Sequence, residues 1–594
     1  MEIGNFVIDE FSPVFVIAEI GNNHNGSLEL AKELVSRSSE AEANCAKFQM
    51  RHMDSLYRNI GSEQGHFNED LGTEYTLDLL NRFQLKTEQL FELFDYTRKL
   101  GMTPLCTPWD IESFRRLEEY GMSAYKVASA DFVNHELLEQ LGSSGRPLIC
   151  STGMCSEDEI RNSIRLLQDL GSQFILLHCN STYPAPLKDV HLKYLNRLRE
   201  LGNCFVGYSG HERGFTIPLA AVAMGAKVIE KHLTMDRDME GNDHRVSLLP
   251  DEFKAMVESI RAIETAFGEG SSRTLTQGEL INRENLGKSI ISSRSIKAGE
   301  RIATDMIAIK SPGRGLAPYF KKDLIGRTAK RDLEAGEFFY LSDIDASSPQ
   351  NRSYAFSRPW GLPVRYHDLE HMEKLSNPDL LEFHFSYRDL DVDPALYLKE
   401  SLDLDVVVHS PELFSGDHLL DLCSEDESYR LRSIRELQKV IDVTLQLKPF
   451  FKRASAPFII VNVGGFSLDK QRDHQERKAL YDRLENSLLA LCSEGVEIIP
   501  QTMPPFPWLF GGQRYHNLFI DADEIAAFCS KTSSRICLDI SHSKLACTQY
   551  GWSLDAFVKK LSPFIGHLHI VDAQGVDGEG LQIGDGEVDF YSLQ

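Results

Sequence analysis

Several short apolar runs in the N-terminal part of the chain contain or end in charged residues, for which a buried strand has no local need. Two of these residues are lysines, Lys47 and Lys126, and a lysine ammonium is a compact charge that suits phosphoryl oxygens. Hydroxyl groups add directional donors. They occur near the ends of neighbouring runs, at Thr107, Ser129, Ser151 and Ser209. This combination of residue types predicts a pocket for a small phosphorylated anion.

Two histidines, His211 and His232, lie at the ends of the last two of these runs. A pair of imidazoles at neighbouring strand ends can bind one divalent metal ion, with water or substrate in the other positions. Either histidine alone could instead be a hydrogen-bonded residue of the core or rim. Glu230 shortly precedes His232, and the three residues together predict a metal site. Glu19, in the first run, could orient a sugar hydroxyl, handle a proton or pair with a lysine.

The elements that carry these residues alternate regularly along the chain. Apolar, β-branched runs occupy residues 15–21, 45–50, 103–110, 124–131, 148–154, 174–180, 205–211 and 227–233, with amphipathic stretches such as 28–36, 87–100 and 157–170 between them. Strands that alternate with helices predict a parallel sheet of the α/β class. Eight such units favour a (β/α)8 TIM barrel, whose active site lies at the C-terminal strand ends. An open doubly wound sheet is the alternative, although no GxGxxG motif follows the first strand.

The composition excludes several classes of function. The chain of 594 residues has 63 Lys plus Arg, 88 Asp plus Glu and a formal charge of −25, which argues against non-specific nucleic-acid binding. An apolar fraction of 42% and a charged fraction of 25% are typical of a globular protein. No apolar run approaches the ~20 residues that span a membrane. The N-terminus lacks the basic region of a signal peptide, and the 11 cysteines form no CxxC pair, so we expect a cytoplasmic protein with reduced thiols.

Two further regions follow the predicted barrel, which we assign to residues 1–280. Residues 281–345 read as a small β-rich module, because RSIKAGE at 294–300 is echoed by RDLEAGE at 331–337. Residues 346–360 are polar and predict a linker. From 361 to 594, strand runs return at 362–366, 380–386, 404–410, 458–465, 497–503, 535–542 and 566–572. They predict a second TIM barrel, which we expect to be truncated because an eighth strand is missing.

The motifs of the first region carry a family resemblance. In chain order they include AEIGNNHNG at 18–26, CTPWD at 106–110, GYSGH at 207–211, IEKH at 229–232 and NDH at 242–244. This series resembles the sialic acid synthase family, which comprises N-acetylneuraminate, legionaminate and pseudaminate synthases. The resemblance implies a transferase of carbohydrate biosynthesis that condenses phosphoenolpyruvate and water with an open-chain N-acylated hexose. The hexose would be N-acetylmannosamine or a 2,4-diamino-trideoxyhexose derivative, and the products a nine-carbon 2-keto sugar acid and phosphate, formed by metal-assisted C–O cleavage.

The resemblance also implies residue roles. Phosphoenolpyruvate would contact Lys47, Thr107, Lys126, Ser129, Ser151, Ser181 and Ser209. Tyr183 and Asp243 would contact the amino sugar, and His211 and His232 would hold Mn²⁺, with Mg²⁺ or Co²⁺ as alternatives. Glu19, Lys126 and Glu230 are the predicted catalytic residues, and the sequence does not choose which glutamate takes the proton.

In this family an antifreeze-like (SAF) domain follows the barrel and caps the active site of the partner subunit in a homodimer, and residues 281–345 resemble it. Many members have an arginine directly before the Pro-Gly of this domain, where this chain has Ser311. Arg314 is the predicted substitute, with a solvated turn residue as the alternative. The predicted sugar-side loop at 58–74 also lacks an asparagine that can be aligned, which leaves the identity of the amino sugar open.

The last region resembles the xylose-isomerase-like sugar isomerases and epimerases, on the motifs LDISH at 538–542, HLHIVD at 567–572 and GDGEVD at 584–589. The predicted ligands of a second divalent metal are Glu382, Asp539, His542 and His569, with His409 as a further candidate. Gln501 stands where many members have a glutamate. Three functions stay open: a synthase fused to a sugar-processing barrel, a sugar isomerase or epimerase, and a carbohydrate-binding protein without turnover.

Overall fold

The computed structural model describes residues 1–56, 78–268, 270, 272–273, 275–345 and 352–593. The predicted loop at 58–74 and residues 346–351 of the predicted linker lie outside the described residues. The chain forms two compact units, residues 1–272 and 273–594. Among the described helices, none combines the length and the apolar character that a bilayer span requires.

The first unit is an eight-stranded parallel barrel. Its strands are β1 (Phe15–Glu19), β2 (Cys45–Met50), β3 (Thr103–Pro108), β4 (Tyr125–Val127), β5 (Leu148–Ser151), β6 (Phe174–Cys179), β7 (Val206–Gly210) and β8 (Val228–His232). They are ordered β3-β2-β1-β8-β7-β6-β5-β4, and β3 lies beside β4. The sheet therefore closes, which confirms the predicted barrel over the open-sheet alternative.

Eight helices alternate with these strands. They are α1 (Leu28–Glu40), α2 (Thr87–Lys99), α3 (Ile111–Tyr120), α4 (His135–Ser143), α5 (Glu157–Asp169), α6 (Tyr194–Gly202), α7 (Thr216–Ala223) and α8 (Pro250–Phe267). Their starts follow ordinary capping rules: Ser156, for example, caps α5 in a capping box with Glu159. Asp110 of the CTPWD motif caps α3 by accepting from the Ser113 amide, so this carboxylate has a structural role.

Side chains of one parity in each strand point into the barrel. Ile17 of β1, Leu105 of β3 and Ile149 of β5 share one buried cluster, to which Ile3 of an N-terminal hairpin also belongs. Because side chains alternate along a strand, the positions two residues further on also face inward. These next inward positions are Glu19, Lys47, Thr107, Lys126, Ser151, Ser209 and Glu230. The barrel thus places the predicted polar residues at its C-terminal end.

The second unit begins with the small β-rich module. It contains helix α9 (Gln277–Leu286) and the antiparallel strands β9 (Ser289–Ser292) and β10 (Ile307–Lys310). The two sequence copies are related in structure, because Arg294 pairs with Glu300 and Arg331 pairs with Glu337. A β-bridge joins Ile296 of one copy to Leu333 of the other. The predicted internal repeat is therefore a structural repeat.

A second α/β barrel region follows. Its parallel strands are β11 (Gly361–Val364), β12 (Leu380–His384), β13 (Asp405–His409), β14 (Phe458–Val461), β15 (Glu497–Pro500), β16 (Ile536–Asp539) and β17 (Ile565–His569). The first five form one sheet, β16 pairs with β17, and a bridge from Gln501 to Cys537 links the two groups. The main helices are α10 (Leu369–Leu375), α11 (Glu427–Leu447), α12 (His474–Leu489), α13 (Ala522–Thr532), α14 (Ile540–Tyr550) and α15 (Leu554–Leu561). Each of the seven predicted runs overlaps one of these strands.

A substitution at Gly207 tests how closely the neighbouring strands of the first barrel pack at this position. A Cβ at this position would lie 2.4 Å from the Val228 carbonyl oxygen and 2.5 Å from Leu177 Cδ2. We expect Gly207→Ala to lower the free energy of unfolding by about 1–3 kcal/mol, because the neighbouring strand must move. Gly566→Ala is the control, since the atoms nearest to its Cβ would be those of the Arg535 side chain, at 3.2 Å or more. Equal melting temperatures for the two variants in thermal unfolding would contradict this account.

Candidate functional site

The C-terminal end of the first barrel holds a network of buried ions. The Nζ of Lys47 lies 3.2 Å from Glu19 Oε2 and 2.9 Å from Glu230 Oε2. The exposed fractions are 4% for Lys47, 1% for Glu19 and 3% for Glu230. Buried charges are tolerated only when they are paired and hydrogen-bonded. One ammonium group from β2 therefore joins carboxyl groups from β1 and β8.

A second lysine extends this network. Lys126 Nζ donates to Ser151 Oγ at 2.7 Å and lies 3.8 Å from Glu230 Oε1. The same Glu230 oxygen accepts from the Ser209 hydroxyl at 2.8 Å. The structure thus brings together both predicted lysines, both predicted glutamates and two of the predicted hydroxyls around one buried carboxylate.

The two glutamates differ in proton affinity. Burial raises the pKa of Glu19, and the nearby Lys47 ammonium only partly offsets this effect. Burial also acts to raise the pKa of Glu230, but Lys126 and Lys47 outweigh it and hold that pKa below the ordinary value. Burial lowers the pKa of Lys126. Neighbouring carboxyl groups with opposite shifts are the usual arrangement of an acid–base site, and here Glu19 is the group suited to carry a proton.

The two histidines lie beside this network. Their ring centroids are 5.5 Å apart. The Nδ1–H of His211 donates to the Asn180 carbonyl at 2.7 Å, so the lone pair is on Nε2, which lies 3.1 Å from the Tyr183 hydroxyl. His232 Nδ1 lies 3.8 Å from Asp243 Oδ2 and has no hydrogen-bond partner among the described residues. Burial lowers the pKa of His211 to about 3, so this imidazole is neutral at pH 7. Two such imidazoles fit a divalent ion.

The remaining predicted residues divide between the two units. The hydroxyls of Ser129 and Ser181 are 2.8 Å apart, and Thr107 is buried at the end of β3. Arg314 belongs to the second unit, where its guanidinium pairs with Glu284 at 3.1 Å. The contact of Arg314 with a sugar therefore stays a prediction.

Three residues without a predicted role support Glu19. Gln49 Nε2 donates to Glu19 Oε1 at 2.7 Å. The Gln49 Oε1 atom in turn accepts from Trp109 Nε1 at 3.2 Å and from the Arg51 guanidinium, which lies over the Trp109 ring. Strand alternation could have predicted that Gln49 faces the site, because Gln49 follows the inward-facing Lys47 by two positions in β2. Trp109 lies just beyond β3 within the CTPWD motif, whereas no comparable signal marks Arg51, which lies just beyond β2.

The second barrel has its own polar cluster, centred on Glu382. Glu382 Oε1 lies 2.7 Å from His384 Nε2, and Oε2 lies 3.0 Å from His567 Nε2. His569 Nε2 is 3.1 and 3.2 Å from the two oxygens, and His569 Nδ1 is 3.2 Å from Asp539 Oδ2. Burial opposes ionisation of Glu382, but hydrogen bonds from the three histidines hold its pKa well below the ordinary value. The predicted residues Glu382, Asp539 and His569 thus lie together, and His384 and His567 join them.

The other predicted residues of this barrel surround Asp539. His542 Nδ1 lies 3.7 Å from Asp539 Oδ2, and His542 Nε2 lies 3.6 Å from Glu579 Oε2. Gln501 Nε2 donates to Asp539 Oδ2 at 3.0 Å, and Gln501 Oε1 lies 3.0 Å from His409 Nε2. Gln501, which replaces the glutamate of similar proteins, therefore forms hydrogen bonds through both its nitrogen and its oxygen.

Known proteins resemble more than half of this chain over nearly their own whole length. The N,N'-diacetyllegionaminic acid synthase of Legionella pneumophila is 36% identical over 339 residues, which are 56% of this chain and 95% of that protein. The pseudaminic acid synthase of Campylobacter jejuni is 34% identical over 346 residues, 58% of this chain and 100% of that protein. The human N-acetylneuraminate-9-phosphate synthase is 33% identical over 335 residues, 56% of this chain and 93% of that protein.

Family profiles agree with these relatives. The NeuB family matches residues 34–272, and the SAF domain matches residues 287–345. The chain belongs to the NeuB family. A xylose isomerase-like TIM barrel profile matches residues 368–593.

Membership of the NeuB family confirms the resemblance predicted from the motifs. It confirms the fold as well, with a barrel, a SAF domain and a xylose isomerase-like barrel in that order. The curated relatives are named as synthases, which confirms the predicted transferase of the sialic acid synthase type.

The buried ion network of this NeuB family member makes Lys47 essential for stability. We expect Lys47→Met to lower the free energy of unfolding by about 3–5 kcal/mol at pH 7, because two buried carboxyl groups lose their cation. The loss should shrink as the pH falls and these carboxyl groups take up protons. The control is Lys32→Met, which breaks the Lys32–Glu92 pair on the surface and should change stability little. Denaturant unfolding in which both variants behave alike would contradict a cooperative role of the network.

Proposed function

We propose that this chain condenses phosphoenolpyruvate with an open-chain N-acylated hexose and water, yielding a nine-carbon 2-keto sugar acid and phosphate. The proposal rests on one observation: two buried lysines, Lys47 and Lys126, lie within 4 Å of Glu230, beside two neutral histidines. The chain that carries this arrangement is a member of the NeuB family. The hexose is N-acetylmannosamine or a 2,4-diamino-trideoxyhexose derivative. The relatives named for legionaminic, pseudaminic and neuraminic acids support this range.

The lysines suit the charge of phosphoenolpyruvate. The Lys47 and Lys126 ammonium groups lie 2.9 and 3.8 Å from Glu230 oxygens, so two positive charges stand close together in this pocket. Lys126 donates to Ser151 Oγ and to the Val127 carbonyl, which leaves its third proton for a phosphoryl or carboxylate oxygen. Hydroxyls of the predicted set add further donors around the anion.

A divalent ion, Mn²⁺ with Mg²⁺ or Co²⁺ as alternatives, completes the proposed site. His211 and His232 would hold it, and the unsatisfied Nδ1 of His232 supports this assignment. When bound, such an ion supplies Lewis-acid activation of the aldehyde. The hydroxyl of Tyr183 and the carboxylate of Asp243 lie at this pair and would orient the sugar.

The residues of the chain then have distinct tasks. The enol carbon of phosphoenolpyruvate forms a bond with the aldehyde carbon, and the aldehyde oxygen becomes a hydroxyl. Water adds at the carbon that bears the phosphate, and Glu19 takes one proton from this water and passes it to the former aldehyde oxygen. The C–O bond to phosphate then breaks, the remaining proton of the water goes to the leaving phosphate, and the carbon becomes the ketone. Glu230 stays ionised and stabilises the positive charge that develops at this carbon. Holding both reactants in one site lowers the barrier by several kcal/mol, about 7–11 at most.

The assembly is also part of the proposal. We propose a cytoplasmic homodimer in which the SAF domain covers the active site of the partner subunit and Arg314 contacts the sugar. For the second barrel, the match to xylose isomerase-like barrels supports a sugar isomerase or epimerase with a second divalent ion. Such a barrel would supply or modify the amino sugar that the first barrel consumes. If neither the synthase nor the isomerase or epimerase activity is found, the third function, carbohydrate binding without turnover, is the one left.

Phosphate release tests the condensation directly. We expect the full chain to release phosphate from phosphoenolpyruvate only when Mn²⁺ and a matching N-acylated hexose are both present, and mass spectrometry to detect the keto sugar acid. The panel should contain N-acetylmannosamine and diacetamido-trideoxyhexoses. Release without a sugar, or silence across the panel, would refute the proposal. Lys126→Ala is the matched variant, and it should raise the KM for phosphoenolpyruvate at least about tenfold, because a charge-assisted hydrogen bond is lost.

The proposed proton acceptor gives a second prediction. Because burial raises the pKa of Glu19, kcat/KM should rise with pH through a value above the ordinary glutamate range of about 4.3. Glu19→Gln should remove this acidic limb and lower kcat about 10²–10⁴-fold. Glu230→Gln should also slow the reaction but keep the limb, since the pKa of Glu230 is held low. A limb that persists in Glu19→Gln would assign the proton to another group.

A further inference from the structure

The polar cluster of the second barrel contains three imidazole nitrogens directed at one carboxylate. The Nε2 atoms of His384, His567 and His569 lie within 2.7–3.2 Å of Glu382 oxygens. Glu382 is 6% exposed, whereas the side chain of His384 is 40% exposed. The cluster therefore runs from a buried carboxylate to a position that solvent can reach.

The distances between ligand atoms of three of these residues are those expected when the atoms bind one metal ion. One atom each from Glu382, His567 and His569 can be chosen so that all lie within 4.8 Å of one another. In a tetrahedral site with bonds of about 2.0–2.1 Å, ligand atoms are about 3.3 Å apart. The observed separations of 3.0–3.2 Å between Glu382 oxygens and the two imidazoles are close to this value. Little movement would be needed for an ion to enter among the three groups.

His569 lies between two carboxylates, with Glu382 at its Nε2 and Asp539 at its Nδ1. His569 Nδ1 lies 3.2 Å from Asp539 Oδ2 and 3.1 Å from Gln501 Nε2. Asp539 can accept the Nδ1–H of a neutral His569 when an ion occupies the lone pair of Nε2. The Nε2 atom, which faces the Glu382 oxygens at 3.1 and 3.2 Å, would then be the ligand atom. A histidine that donates its far N–H to a carboxylate while the near nitrogen binds the ion is the common arrangement in metal sites. Gln501 holds Asp539 in place by donating to the same oxygen.

We propose that Glu382, His567 and His569 bind one divalent transition-metal ion in the second barrel, with His384 as an additional ligand at the open side. Asp539 and Gln501 orient His569 and do not bind the ion. The nitrogen-rich donor set selects ions such as Zn²⁺, Co²⁺ or Fe²⁺ over Mg²⁺ and Ca²⁺. This ligand set refines the second metal proposed above, and it does not depend on the condensation in the first barrel.

Metal titration of the full chain tests this ligand set. His211→Gln and His232→Gln together remove the proposed site of the first barrel, and dialysis against a chelator removes bound metal from this parent. We expect the parent to bind one equivalent of Co²⁺, detected by visible absorption, and to bind Zn²⁺ in competition with a chromogenic chelator. A parent that binds neither ion would overturn the proposal, whatever the outcome of the synthase assays.

Variants of the parent then separate ligands from orienting residues. Glu382→Gln and His567→Gln should each weaken metal binding by more than about 100-fold, because each removes a proposed ligand. Asp539→Asn should weaken it by about 10–100-fold, because Asp539 only orients the ligand His569. The control is His474→Gln, which changes a surface histidine paired with Glu524 and should leave the affinity unchanged. His542→Gln should change the affinity less than about threefold, because His542 contacts Asp539 and Glu579 and not Glu382. A loss in His542→Gln equal to that in Glu382→Gln would place the ion elsewhere.

A gain-of-signal variant covers the case in which the loss variants fold poorly. His567→Cys places a thiolate where we propose an imidazole ligand, and a thiolate binds Zn²⁺ at about 2.3 Å. Bound Co²⁺ should then show a sulfur-to-metal charge-transfer band stronger than in the parent, and zinc X-ray absorption should report an added sulfur neighbour. Tight binding by His567→Cys without either signal would exclude residue 567 from the coordination sphere.

Discussion

Two buried lysines and two buried carboxyl groups can share the end of one barrel only if each charge has a partner. Removing an ion from water costs several kcal/mol, and this cost is offset only by close pairing and hydrogen bonds. The partners come from different strands: Glu19 from β1, Lys47 from β2, Lys126 and its partner Ser151 from β4 and β5, and Glu230 from β8. The network therefore exists only when the sheet is closed. The same closure that completes the fold brings together the residues of the proposed anion pocket.

The two barrels use histidine in opposite ways. In the first barrel, burial keeps His211 neutral and its Nδ1–H is fixed by a backbone carbonyl, so the ring offers a lone pair without a nearby hydrogen-bonded carboxylate. In the second barrel, the imidazoles of His567 and His569 lie directly on the Glu382 carboxylate. A first site of two imidazoles leaves much of an ion's coordination to substrate and water. A second site with its own carboxylate would hold an ion more firmly and would leave fewer positions open.

Much of the fold and of the site could be predicted because strand alternation fixes which residues face inward. This rule separates Lys47 and Lys126, which face inward, from Lys231, which has the opposite parity and pairs with Glu212 away from the pocket. The rule could not choose between Glu19 and Glu230, because their difference depends on distances to two lysines from other strands. It also could not show that Arg314 pairs with Glu284, since that contact joins a loop to a helix within the small domain.

The second barrel shows why a missing ligand type in a motif is weak evidence against a metal site. Gln501 lacks the charge of the glutamate common in similar barrels, yet its amide accepts from His409 and donates to Asp539, so neither neighbour is left unsatisfied. The negative charge lost at β15 is present at Glu382 on β12, facing the same imidazole of His569. Motif comparison examines one strand at a time and detects only the loss. The compensation depends on two strands far apart in the chain, so it becomes visible only once the barrel is formed.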